Sequence, residues 1–343
     1  MQSYRKAFLF ILLLCGLRGA AQDINFSQFY DLPLLRNPAL AGIFNGDFRL
    51  TAAYRNQWQA VTTPYRTMGL GIEYKRAFVS NSDDYITYGM QISKDVAGDS
   101  RLSRTQVFPV LNYHKSLSGD VNRYISAAFM AGPVMQQFDP SKLQFDDQFQ
   151  HGAYSASNPT RENFSSTRLT YWDPSVGILY SSSAGANAAT NYYVGVGIYH
   201  FTKPKVAFQP QNDIRLNPKY VVNFGLAAPT GNGNTLILYG DLFTQGGSRQ
   251  GQGGLMFSKL LEDRDEGKKI AITGGMFYRM NDALVPMMKL DYLSTSIGVS
   301  YDINLSKLTA ASQYRGGFEV TLSFRASKYQ NGDANMVRCP RFF

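Results

Sequence analysis

The chain of 343 residues has two cysteines, Cys15 and Cys339, and three histidines, His114, His151 and His200. Cys15 lies in an apolar leader, so an exported mature chain keeps one thiol and cannot close an internal disulfide. Cys339 is then a free, shielded thiol or a link between chains. The histidines are far apart and none stands at a metal-ligand spacing, so no metal is expected. Long apolar runs are missing beyond the first residues. A helical membrane protein needs about 20 consecutive apolar residues per span, and that class is excluded. A β-barrel is not, because its strands are half polar. Charged residues are only 17% of the chain and form no dense basic block, which argues against a nucleic-acid partner.

Motifs that carry chemistry are also missing. "GLG" at Gly69–Gly71 and "GVG" at Gly195–Gly197 lack the third glycine and following helix of a dinucleotide site. They read as strand glycines that let side chains pack in a tight lumen. "GNGN" at Gly231–Asn234 is turn chemistry. "EDRDE" at Glu262–Glu266 lacks the spacing and glycine of a calcium loop. No serine stands in a nucleophile elbow. The expectation is a protein that is not an enzyme and binds no cofactor.

What is present begins with the leader. Arg5 and Lys6 precede "AFLFILLLC", and small residues follow in "GLRGAAQ". That pattern predicts a signal peptide over residues 1–21, cut after Ala21, with an apolar core too short to span a bilayer. A lipoprotein site at Cys15 is the rival, but the small residue expected before the cysteine is a leucine. Removing Arg5, Lys6 and Arg18 leaves 31 basic against 25 acidic residues, about +6.

Phe (23) and Tyr (22) are abundant, with alternation and turn residues throughout. About fourteen strands are predicted, at Phe48–Asn56, Thr67–Phe78, Tyr85–Lys94, Thr105–Lys115, Asn122–Gln136, Pro174–Ser182, Tyr192–His200, Lys219–Ala227, Thr235–Phe243, Gln250–Leu260, Lys269–Tyr278, Ala283–Tyr292, Thr295–Ile303 and Gly316–Arg325. Many approach ten residues, the length a tilted strand needs to cross a bilayer. In the last, Phe318, Val320, Leu322 and Phe324 face one way, and Glu319, Thr321, Ser323 and Arg325 the other. A soluble sandwich would turn the apolar side inward; a membrane barrel turns it to lipid and the polar side to the lumen. Elsewhere the second face mixes glycine, charge and tyrosine, which suits a crowded, hydrated lumen. Connections after even-numbered strands are short, while odd strands precede the two longest, about Gln137–Thr170 and Phe201–Pro218. Barrels sort their loops in this way. The expected architecture is an all-β antiparallel transmembrane barrel over residues 48–325.

Two end segments are not strands. Ser27–Gly42 carries Phe29, Tyr30, Leu34 and Leu35, costly to leave in water, so residues 22–47 are expected in the lumen or at the periplasmic mouth. Residues 326–343 read as a separate periplasmic tail.

These ends carry a family likeness. "SQFY" at Ser27–Tyr30, "NPALAG" at Asn37–Gly42 and "YRNQW" at Tyr54–Trp58 resemble the PorP/SprF family of type IX secretion membrane proteins. "AGDSRLSRTQVFPVLNYHK" at Ala97–Lys115, "FDPSKLQFDDQF" at Phe138–Phe149, "YYVGVGIYHFTKPKVAF" at Tyr192–Phe208 and the closing "RCPRF" continue the resemblance over essentially the whole mature chain. The resemblance implies an integral outer-membrane barrel in the secretion and gliding machinery. Its implied partners are membrane lipid, the C-terminal domain of a secreted adhesin, and other secretion components, including a peptidoglycan-binding periplasmic protein. Partner-binding candidates in the matched motifs are Ser27, Gln28, Phe29, Tyr30, Asn37, Pro38, Tyr54, Arg55, Asn56, Trp58, Phe138, Phe145, Asp146, Asp147, Cys339, Pro340, Arg341 and Phe342. A second reading exists. "NPALAG" is also similar to the Asn-Pro-Ala motif in the luminal hatch of the fatty-acid transporter family, which implies a barrel for apolar small molecules. A third is a soluble periplasmic β-sandwich.

Overall fold

The computed structural model describes residues 23–59, 63–78, 83–118, 122–185, 189–264, 268–307 and 309–327. The chain forms strands β1 (Phe48–Gln57), β2 (Tyr65–Ala77), β3 (Tyr85–Ala97), β4 (Leu102–Ser118) and β5 (Arg123–Gln137). A small hairpin of β6 (Phe149–Gln150) and β7 (Ala153–Tyr154) follows. Then come β8 (Arg168–Ala184), β9 (Thr190–Tyr199), β10 (Lys219–Gly231), β11 (Asn234–Gln245) and β12 (Ser248–Arg264). The set ends with β13 (Lys268–Arg279), β14 (Ala283–Leu293), β15 (Thr295–Asn304) and β16 (Arg315–Ala326).

All but β6 and β7 close into one fourteen-stranded antiparallel barrel, and β6 pairs only with β7. The seam joins β1 to β16 without interruption from Phe48↔Ala326 to Gln57↔Gly317, so no wall edge is left to pair with another chain. Each of the fourteen predicted strands has its counterpart. Observed strands run longer, from 10 to 17 residues. The largest difference is β8, which takes Arg168–Asp173, residues that the sequence reading left outside the strand. Pro174 looked like a strand start, yet Leu169 and Trp172 continue the ladder against Gln136 and Pro133 of β5.

The faces sort as a membrane barrel requires. Phe318 and Leu322 are 46% and 48% exposed on the outer surface, while Glu319 and Thr321 are each 1% exposed within. Outward Met68, Leu111, Phe129, Val194, Val196 and Leu255 extend this apolar belt around the wall. Glu73, Lys75, Asn112, Asp241 and Asp302 are buried inside it. This inside-out pattern excludes the soluble sandwich, whose apolar faces would meet each other. Connections at one rim are at most seven residues long, and β1 starts and β16 ends at that rim. The opposite rim carries the long connections 138–167 and 200–218.

Candidate functional site

The lumen is filled by the chain's own N-terminal segment. Residues 23–47 run through the barrel from the long-loop rim, where Asp23 meets the starts of β4 and β10, to the short-turn rim. There the Asp47 amide donates to the Ala326 carbonyl oxygen at 2.8 Å. The path is a series of 3-10 turns at Phe29–Asp31, Pro33–Leu35 and Pro38–Leu40. Pro33 and Pro38 sit at turn starts, where a missing N–H costs nothing. Asn37 caps the third turn by accepting from the Ala39 amide at 2.9 Å. Its side chain lies against Gly177 of β8 and Gly195 and Gly197 of β9. A Cβ at Gly177 would collide with Asn37 Oδ1, so wall glycines make the seat for "NPALAG".

Side chains on the inward parity of the strands hold this plug at every level. At the long-loop rim Asp23 receives Arg104 Nη1 at 3.1 Å, His200 Nε2 at 2.8 Å and Lys219 Nζ at 3.4 Å. His200 Nδ1 bonds Asp173 at 2.6 Å. Deeper, the amides of Ser27 and Gln28 both donate to the Glu319 carboxylate at 2.7 Å. Asp302 accepts from Ser27 Oγ (2.5 Å), Arg55 Nη2 (2.5 Å) and Arg279 Nη2 (2.7 Å). Arg55 also donates to the Asn25 carbonyl oxygen. In the middle, Arg36 pairs with Asp241 at 2.7 Å and stands over the rings of Phe29 and Tyr239. Lys289 pairs with Asp31 at 2.6 Å. Toward the short-turn rim, Asn112 Nδ2 donates to the carbonyls of Ala39 and Ala41, and the Gly42 amide donates to Glu73 at 2.8 Å. Lys75 donates to the Phe44 carbonyl at 2.7 Å.

Apolar contact completes the seal. Tyr30 stacks on Tyr239 and Phe277, with ring centroids 5.7 and 5.2 Å apart. Two voids beside the plug measure about 20 and 50 Å³. They have room for a few waters but are far below the few hundred Å³ of a small-molecule pocket.

The sequence candidates fall in five places. Ser27, Gln28, Phe29, Tyr30, Asn37, Pro38 and Arg55 come together inside the barrel, in contacts between plug and wall. Tyr54 alternates with Arg55 and faces outward, 37% exposed. Asn56 and Trp58 lie at the long-loop rim, where the Trp58 amide donates to the Gly316 carbonyl oxygen. Phe138, Phe145, Asp146 and Asp147 lie in the long loops. Phe138 packs edge-on against Phe164 and Phe208, at 5.4 and 5.0 Å, and so joins loop 138–167 to loop 200–218. Phe145 also packs near Phe164. Asp147 accepts from the Arg161 amide at 2.6 Å. Phe149 is 59% exposed. Cys339, Pro340, Arg341 and Phe342 lie outside the described residues, as do the leader with Cys15 and the tail beyond Ser327. The sequence reading did not single out the wall partners Arg104, His200, Lys219, Asp241, Arg279, Asp302 and Glu319. Their signal was charge on the inward, glycine-rich parity of a strand or at its end.

An apolar-skinned, internally charged, plugged barrel defines the class: a membrane-spanning β-barrel of the bacterial outer-membrane type. Within that class the chain belongs to the PorP/SprF family of type IX secretion system membrane proteins, whose family model matches residues 18–324. No curated protein matches it. Among solved structures it is similar to the toluene transporter TbuX of Ralstonia pickettii, at 11% identity over 90% of this chain and 94% of that one, with a TM-score of 0.46. The CymD monoaromatic hydrocarbon channel matches at 10% identity over 91% and 96% of the two chains, with a TM-score of 0.47. CdiB from Acinetobacter baumannii matches at 9% identity over 81% and 59%, with a TM-score of 0.41.

Proposed function

We propose that this protein is an outer-membrane dock in the type IX secretion machinery, and not a conduit. The observation that carries this reading is the plug: a lumen filled and hydrogen-bonded along its length leaves the loops as the working surface. Loops on a rigid scaffold are where binding sites commonly lie. The long-loop rim then faces outward, and the cluster around Phe138, Phe145, Asp146 and Asp147 meets the C-terminal domain of a secreted adhesin. The short-turn rim faces the periplasm, where residues 326–343, including Cys339, Pro340, Arg341 and Phe342, contact secretion components such as a peptidoglycan-binding protein. Residues 1–21 act as a cleaved leader, 22–47 as the plug and 48–325 as the barrel. Deleting the gene should abolish surface display of one adhesin while general secretion persists. Normal display of every adhesin in the deletion strain contradicts the dedicated version.

A second reading is favoured by one observation, the seating of Asn37-Pro38-Ala39 inside the lumen. In it the segment gates a path for apolar small molecules. Ligand-dependent uptake into proteoliposomes supports that reading. No uptake, with co-purification of a large secreted protein, supports the dock.

A further inference from the structure

Three cations surround one carboxylate at the long-loop rim. Arg104 near the start of β4, His200 just past β9 and Lys219 at the start of β10 all reach Asp23. Both ring nitrogens of His200 meet carboxylates, Asp23 and Asp173, so both must donate and the ring is an imidazolium. The Asp23 carboxylate belongs to the plug and the cations belong to the wall. Without Asp23 the wall keeps Arg104, His200 and Lys219 against Asp173, a local excess of positive charge in a mostly buried place.

Two further features mark a built site. Arg104 Nε is buried without a hydrogen-bond partner among the described residues. Asp23 therefore uses only one prong of a guanidinium that can grip a carboxylate with two. His200 is held at φ 55°, a left-handed conformation that costs a non-glycine residue energy and persists where surroundings enforce it. Hydrogen bonds to Asp173 at 2.6 Å and Asp23 at 2.8 Å fix the imidazole at the mouth of the lumen.

We propose that Arg104, His200 and Lys219 form a carboxylate-binding site at the long-loop rim. Asp23 is its resident occupant, and an acidic side chain from a peptide segment of a docking partner is the ligand that replaces it. Replacement frees only the first residues of the plug. Ser27 and Gln28 stay bonded to Glu319, so the lumen remains closed while its outer end becomes a short free arm. The site takes its partner from the docking reading above, but its existence is tested without any partner.

The test uses the full-length protein in detergent with Cys339→Ser and Ile24→Cys, reacted with a bulky maleimide. The same protein without Ile24→Cys gives the background, and heat-dependent gel migration confirms folding. With Asp23 present, labelling is slow, and Asp23→Glu keeps it slow. Asp23→Ala should raise the rate about tenfold, the effect of losing about 1.4 kcal/mol of anchoring. In the protein that keeps Asp23, sodium acetate should raise the labelling rate toward the Asp23→Ala level by replacing Asp23 at the cations, and sodium chloride at equal ionic strength should not. Arg104→Gln should itself speed labelling and remove the acetate response. An Asp23→Ala variant that labels no faster, labelling of the Asp23 protein indifferent to acetate, or an acetate response that survives Arg104→Gln overturns the proposal. The acetate response needs no partner at the rim, so the two readings fail separately.

Discussion

At the scale of single residues, the plug depends on charges that would be ruinous if left alone. Arg36 and Asp241 have side chains only 4% and 3% exposed. Removing one member of such a buried pair costs about 3–5 kcal/mol, whereas replacing both with apolar groups is often neutral. Arg36→Met should therefore destabilise the folded protein strongly against urea, and Arg36→Met with Asp241→Leu should recover much of the loss. Gly177→Ala sets a Cβ against Asn37 and should cost about 1–3 kcal/mol by overpacking, read by the same titration. His200 supplies a pH signature. Burial alone would lower its pKa, but the Asp23 charge and the hydrogen bonds that the ring donates to Asp173 and Asp23 raise it from 6.5 to about 9. A raised folded-state pKa means the latch is fully present below 6.5 and fades as pH climbs through 9. The labelling rate at Ile24→Cys, divided at each pH by that of the unfolded protein so that thiolate ionisation cancels, should be low at pH 6 and clearly higher at pH 10, and His200→Phe should flatten that ratio. These partners were only half legible. Glu73 and Glu319 could be placed on the inward parity from alternation alone, but nothing local says that Glu319 meets Ser27, 292 residues away.

At the scale of elements, strands were legible because period-two alternation is a local signal, and the membrane face repeats it around the wall. Strand ends were less so: β8 gained Arg168–Asp173 because its ladder with β5 outweighs a proline that looked like a boundary. The plug was visible as an apolar segment in need of cover. Its path was not, because it is fixed by side chains from many strands and not by its own periodicity. The two long loops behave as one element through Phe138. Phe138→Ser should unlink them and raise proteolytic cleavage within 138–167 and 200–218, with the barrel's heat-dependent migration unchanged. If cleavage does not change, the aromatic cluster is not what holds the loops together.

At the scale of the whole molecule, the fold places hydrocarbon-compatible side chains outside and paired charges inside, and then spends the interior on its own N-terminal segment. A barrel closed in this way offers two rims and no wide passage. The sizes agree: voids of about 20 and 50 Å³ persist beside the plug, while the connections 138–167 and 200–218 stand at one rim. Membrane class follows from the wall and family from the match over residues 18–324, whereas the docking role proposed above rests on the closed lumen. Ion conductance of the purified full-length protein in a planar lipid bilayer, compared with a variant lacking Ser27–Gly42, tests this most directly. The intact chain should insert without steady conductance, and the shortened chain should conduct. Sustained open-pore current through the intact protein would contradict it.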